Sequence, residues 1–320
     1  MQLTKRGLLK TTLAVLALSL GQPVVAQDKP VIASVVFQGD QFMKSLQRGI
    51  REGAEAGGAE VLEINIDGDQ AKEAEAIDTY IARGVQAIVI APLSATNSAG
   101  ALKRAKDAGI VVIALNGGLE DGSIAAATFS TANADLGKTS GIEAAAYIKD
   151  NLGGSAKVGI LGFSSLLPEQ SGQRTGGFKE AAAVGTTIEV VSEQDAWLPE
   201  KAVTVATDMM TAHPEINVIF AANEGGTVGA MQAVRNAGRA GQVAVFGVDG
   251  SEQLAKGLMA GDNVLQAVTA QSPVEMGRMG AEAALKVLKG EAVEAQTTVP
   301  TLLLTRRDPA AVEAFLATLQ

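Results

Sequence analysis

The chain of 320 residues has no cysteine, one histidine and one tryptophan. Without cysteine, no disulfide, thiol nucleophile or thiolate metal site can form. A lone histidine excludes a histidine-rich metal site and leaves His213 as the only base for a serine–histidine pair. His213 stands in "TAHPE", a helix-end context in which an imidazole suits the helix dipole. Basic residues are also scarce. Lysine and arginine total 26 against 35 acidic residues, for a formal net charge of -9 and a pI near 4.8. That balance argues against nucleic acid and anionic lipid as partners. The nucleotide and hydrolase signatures GxGxxG, GxSxG and HExxH are absent. After the first 26 residues, no apolar run approaches the length needed to cross a membrane.

Those first residues form a unit of their own. "MQLTKRGLLK" is basic, "TLAVLALSL" is an apolar core too short to span, and "PVVAQ" offers small residues for cleavage after Ala26. This is the layout of a secretory signal peptide over 1–26, and it predicts export to the periplasm. "TKRGLLK" also resembles the twin-arginine export pattern with Lys5 in place of the first arginine, so both export routes stay open. Cleavage removes three basic residues and no acidic one, taking the net charge from -9 to -12. With no cysteine at the cleavage point, a lipoprotein anchor is not expected.

The rest of the chain alternates between two kinds of segment. Near-continuous Val/Ile/Ala runs ("VIASVVF", "QAIVIAP", "IVVIAL", "NVIFAA", "VAVFGV") read as strands buried on both faces. Between them lie stretches with helical spacing, such as Phe42, Leu46, Ile50 and Ala54, closed by Gly57 and Gly58. Repeated strand–helix units predict an α/β protein with parallel sheets covered on both faces. The cycle restarts near residue 132, which predicts two similar lobes. "VPTLLLT" near the end reads as one last strand before a terminal helix.

Four of these strands end in Asp or Asn: Asp40 after "VVFQG", Asn116 after "VVIAL", Asn223 after "VIFAA", and Asp249 after "VFGV". Such residues are common as turn and helix-cap residues. In open parallel sheets, however, ligands bind beyond the carboxyl ends of the strands. Four polar tips from two lobes therefore predict a polar ligand site in the cleft between them. Phe42 and Trp197 are flat apolar faces in a chain with only 3% aromatics. They could equally start a core stripe and cover a lobe edge, or they could sandwich a sugar ring whose hydroxyls go to Asp, Asn and Arg. "ANADLGKTS" mimics the tail of a phosphate-binding loop, but Ala132 stands where that loop needs its first glycine, and Asn133 suits a helix start.

Taken together, "DQFMKSLQRGIREGA", "IVVIALNGG", "QRTGGFKEA", "VIFAANEGGTVGAMQAV" and "VFGVDGSE" resemble the periplasmic sugar-binding proteins of the ribose and glucose/galactose type in order and spacing, over about 31–305. The resemblance implies two Rossmann-like lobes with parallel sheets joined by a three-strand hinge near 131, 271 and 303. It implies an N-terminal lobe of 27–131 plus 272–300 and a C-terminal lobe of 132–271 plus 301–320. It implies closure around one monosaccharide (aldohexose, pentose or related polyol) and delivery to the transmembrane subunits of an ABC permease, with a chemoreceptor as a further partner. The protein would be a monomer that is not an enzyme and has no catalytic residues or cofactor. The family's contacts carry over to Asp40, Phe42, Asn116, Asn133, Arg174, Trp197, Asn223, Asp249 and Gln271.

There are departures from the family's pattern. Asn116-Gly117 replaces the Asp-Arg of the ribose type, and Met43 replaces its second phenylalanine. The calcium-loop pattern D-x-N-x-D-x-Q of the glucose/galactose type is missing, so no metal is expected. Same-fold binders of a furanosyl signal or a nucleoside, and more remotely a glycoside-acting enzyme, remain as alternatives. A sugar-responsive repressor would need an N-terminal helix-turn-helix in place of the signal peptide.

Overall fold

The structure, a computed structural model, describes residues 29–319. The signal-peptide expectation for 1–26 lies outside the described residues. The first lobe runs β1 (Val31–Val36), α1 (Gln41–Ala56), β2 (Glu60–Asn65), α2 (Gln70–Arg83), β3 (Ala87–Ile90), α3 (Ala99–Asp107), β4 (Val111–Leu115) and β5 (Ala127–Ser130). The chain then crosses to the second lobe with α4 (Asn133–Asn151), β6 (Ser155–Gly162), α5 (Pro168–Ala182), β7 (Thr187–Asp195) and α6 (Pro199–Ala212). That lobe continues with β8 (Val218–Ala221), α7 (Glu224–Asn236), β9 (Ala244–Val248), α8 (Glu252–Met259) and β10 (Leu265–Ala270). It returns for α9 (Pro273–Leu288) and β11 (Gln296–Thr298), and crosses a third time to β12 (Leu302–Thr305) and α10 (Pro309–Ala317).

Each lobe is built on a six-stranded sheet, ordered β11-β5-β4-β3-β1-β2 in the first and β12-β10-β9-β8-β6-β7 in the second. All pairings are parallel except that of β12 with β10. The central strands are apolar and buried along their length, as in β3 and β8, because helices cover both faces. The expected strand in "VPTLLLT" is β12, which takes its last four residues, while β11 lies just ahead of the run. β11 ends at Thr298 and β12 starts at Leu302, in different sheets, with Pro300 between them. Proline has no N–H to give a ladder, so it marks the break.

Two helix pairs shape the cleft. In the first lobe α1 packs on α9, and in the second α4 packs on α5. Both pairs approach closely through glycine. A Cβ at Gly137 of α4 would lie 1.8 Å from the Arg174 carbonyl oxygen, and one at Gly177 of α5 would lie 2.2 Å from that of Ala134. Gly137, which mimicked a phosphate-loop glycine in sequence, is thus a packing residue that brings the backbone of α5 against α4.

Candidate functional site

The cleft between the lobes narrows to a cavity of about 50 Å³ and widens outward to about 790 Å³. Eight of the nine expected site residues line the inner cavity: Asp40, Phe42, Asn116, Arg174, Trp197, Asn223, Asp249 and Gln271. Asn133 does not line it. It stands behind Arg174 and accepts from its Nε at 2.8 Å.

Each of the four strand tips has a local reason to be Asp or Asn. Asp40 caps α1, with Oδ1 accepting from Met43 N at 2.8 Å, and Asn223 caps α7, with Oδ1 accepting from Gly226 N at 3.0 Å. Asn116 and Asp249 sit in left-handed backbone, at φ 63° and 76°, where Asn and Asp are the best tolerated side chains after glycine. The turn-and-cap reading therefore holds at all four positions, and the same four residues line the inner cavity. The turns that these residues make are what aim their side chains into the cleft.

Arg174 is buried among partners. Its Nη1 donates to the Ala222 carbonyl at 2.9 Å and lies 3.9 Å from Asp249 Oδ2, while its Cζ sits 5.3 Å from the centre of the Phe163 ring. No protein partner holds Nη2 among the described residues, which leaves that donor for the cavity. Burial pulls the guanidinium below its ordinary pKa, and the Asp249 charge opposes that pull. Asp249 is itself braced. Gln271 Nε2 donates to Oδ1 at 2.6 Å and the Glu224 amide donates to Oδ2 at 2.9 Å. Gln271 Oε1 is buried with no partner among the described residues, so a ligand hydroxyl would find an acceptor there.

Across the cleft, burial lifts the Asp40 carboxyl above its ordinary value, and the Asp249 carboxylate adds to the rise. The Met43 and Phe42 amides and Lys44 pull it down. Glu224 is pushed up to about 6, first by burial, with Asp249 and Asp40 adding to the shift and a Ser251 hydrogen bond opposing it. Trp197 is fixed from behind by Asn223 Nδ2, which donates to the Trp197 carbonyl at 2.9 Å.

Sequence reasoning missed Phe163, Glu224 and Gln38. The first two adjoin strand ends that had already been read, so extending the tip argument by one or two residues would have found them. Gln38 also follows a strand end, that of β1, but nothing in the sequence gives it a partner across the cleft.

Two α/β lobes, crossed three times by the chain, with polar strand tips facing one interlobe cavity, define a two-lobed solute-binding protein. Residues 31–292 match the periplasmic binding protein domain family. The ribose import binding protein RbsB of Salmonella typhimurium is 31% identical over 93% of this chain and 98% of its own. The ABC transporter periplasmic-binding protein YphF of Escherichia coli is 29% identical over 88% of each chain. An ABC transporter periplasmic solute-binding protein of Actinobacillus succinogenes 130z, solved with bound D-allose, superposes with a TM-score of 0.80 at 27% identity, covering 88% of this chain and 99% of that one. The chain belongs to the periplasmic binding proteins, among those of the ribose type.

Proposed function

We propose that this protein captures one neutral monosaccharide, an aldohexose, a pentose or a related polyol, between its lobes and delivers it to an ABC permease. One observation carries the reading. Asp40 and Asn116 from one lobe, and Arg174, Asp249 and Gln271 on the other side, surround a cavity that Phe42 and Trp197 also line. Aromatic faces suit the C–H faces of a sugar ring, while carboxylates, amides and a guanidinium suit its hydroxyls. Relatives named for ribose import and a neighbour holding D-allose support the same class.

Asp40, Phe42, Asn116, Arg174, Trp197, Asn223, Asp249 and Gln271 would form the ligand shell, with Asn133 holding Arg174 in place. The lobes would be 27–131 with 272–300 and 132–271 with 301–320. Sugar would bind one lobe of an open form, and closure about the three crossings would add the other lobe's contacts and expel water. The closed rims would dock on the permease, and the same rims would serve a chemoreceptor. The working form would be a monomer without enzymatic activity, exported on the signal peptide of 1–26.

The test is a thermal-shift panel on the mature protein from Gln27, with pentoses, hexoses, polyols and inositols, and with nucleosides and amino acids as controls. The true ligand at a hundredfold its Kd should add about 2.7 kcal/mol of stability. A shift with a control compound alone, and none with any sugar or polyol, would overturn the sugar reading.

A further inference from the structure

Gln38 sits in the turn between β1 and α1, half-buried, where the first lobe faces the second. One orientation of its carboxamide gives both ends a complementary partner. In that orientation its oxygen accepts from Trp197 Nε1 at 2.9 Å and its nitrogen donates to Asp40 Oδ2 at 3.3 Å. Trp197 belongs to the turn between β7 and α6 of the second lobe, and Asp40 opens α1 of the first. The amide is therefore one link in a chain, Trp197 to Gln38 to Asp40, that crosses the cleft using protein groups alone.

Each end of the chain is already fixed on its own lobe. Asp40 spends Oδ1 on the Met43 amide, which leaves Oδ2 for Gln38. The Trp197 backbone is held by Asn223, and Gly225 lies so close that a Cβ there would come within 2.2 Å of the Trp197 carbonyl oxygen. What the backbone leaves undetermined is the rotation of the indole ring, and the ring N–H is its one polar handle. Only a side chain with both a donor and an acceptor at its end can join an indole N–H to a carboxylate.

We propose that Gln38 is a positioning residue of the ligand site. It sets the plane of the Trp197 ring over the cavity and ties that ring to Asp40 of the opposite lobe, so that it favours the closed form even in the sugar-free protein. Its effect on affinity rests on the cavity's being the ligand site. The interlobe bond itself does not, and it can be tested without any sugar.

Trp197 is the only tryptophan, so intrinsic fluorescence reports this one ring. The first experiment measures acrylamide quenching and emission of the sugar-free full mature protein and of Gln38→Leu. Gln38→Asn is the second variant; it keeps the amide but shortens its reach. Both variants should quench more readily and emit further to the red than the parent, at an unchanged thermal midpoint. Quenching and emission equal to the parent in both variants would overturn the proposal.

The second experiment is a double-mutant cycle with Trp197→Phe, which keeps a ring but removes the N–H, read by calorimetric titration of the sugar found in the thermal panel. Gln38→Leu should weaken binding about three- to tenfold in the parent. In the Trp197→Phe background it should weaken binding clearly less. Fully additive losses would overturn the coupling. If no sugar binds the parent, the function reading has failed, and the quenching experiment still decides the role of Gln38.

Discussion

The two lobes meet the cavity in different states of readiness. On the C-terminal side the groups hold one another. Asn133 and the Ala222 carbonyl take two Arg174 donors, Gln271 and the Glu224 amide take both Asp249 oxygens, and Asn223 holds the Trp197 backbone. On the N-terminal side the Asn116 side chain makes no hydrogen bond among the described residues, and Asp40 is held by its own helix and by Gln38. A braced group loses little freedom when a ligand arrives, whereas a loose one must be ordered first. In the proposed reading, the C-terminal lobe would be the face on which a ligand first settles, and the N-terminal lobe would close over it.

The sharpest way to break that contrast is to truncate one group from each lobe. Arg174→Ala should cost about 2–5 kcal/mol of affinity, because it leaves Asp249 and the ligand acceptors without their buried cation. Asn116→Ala should cost about 0.5–1.5 kcal/mol, the range for a single neutral hydrogen bond. Calorimetric titration of both against the same sugar decides the matter, and equal losses would erase the difference between the lobes.

The next effect tests the brace rather than the contact. Gly137→Ala places a methyl against the Arg174 backbone, so it should destabilise the protein by about 1–3 kcal/mol in denaturant melts. It should also weaken sugar binding, although Gly137 does not line the cavity. Lost stability with intact affinity would show that the α4–α5 contact does not govern where Arg174 points.

The smallest effect lies where the lobes' charges face each other. The pKa of Glu224 is raised from 4.5 to about 6 in the folded protein. The folded state therefore keeps this proton to a higher pH than the unfolded state does. Its contribution to stability is full below about 4.5 and is lost as pH rises through about 6. Relative to the parent, Glu224→Gln should gain in thermal midpoint as pH climbs through that window, then level off. A constant difference between the two proteins across pH 4.5 to 6 would mean that Glu224 is not the group titrating.

The α/β class, the two lobes and the convergence of strand tips were legible because buried parallel strands leave long Val/Ile runs that end abruptly. The tips were legible for a second reason. Left-handed turns and helix caps restrict the choice of residue, so Asn116, Asp249, Asp40 and Asn223 stand out even to a reader who cannot see the cleft. Gln38 was not legible, since nothing along the chain places it beside Trp197. The sheet that takes "VPTLLLT" was hidden for a related reason. An apolar run shows that a strand is buried but not in which of two sheets, and only the crossing at 299–301 separates β11 from β12.

Those three crossings also constrain how the chain can fold. Helix α1 of the first lobe buries its stripe against α9, which begins at Pro273, and the edge of that lobe's sheet is completed by β11. The second lobe likewise waits for β12 and α10. Neither lobe is a contiguous piece of sequence, so neither can finish before the last fifth or so of the polypeptide has been made. Contacts between such distant segments form slowly. A nascent chain would thus stay incompletely folded until nearly the whole of it is available, and a truncation ahead of β11 would cripple both halves rather than one.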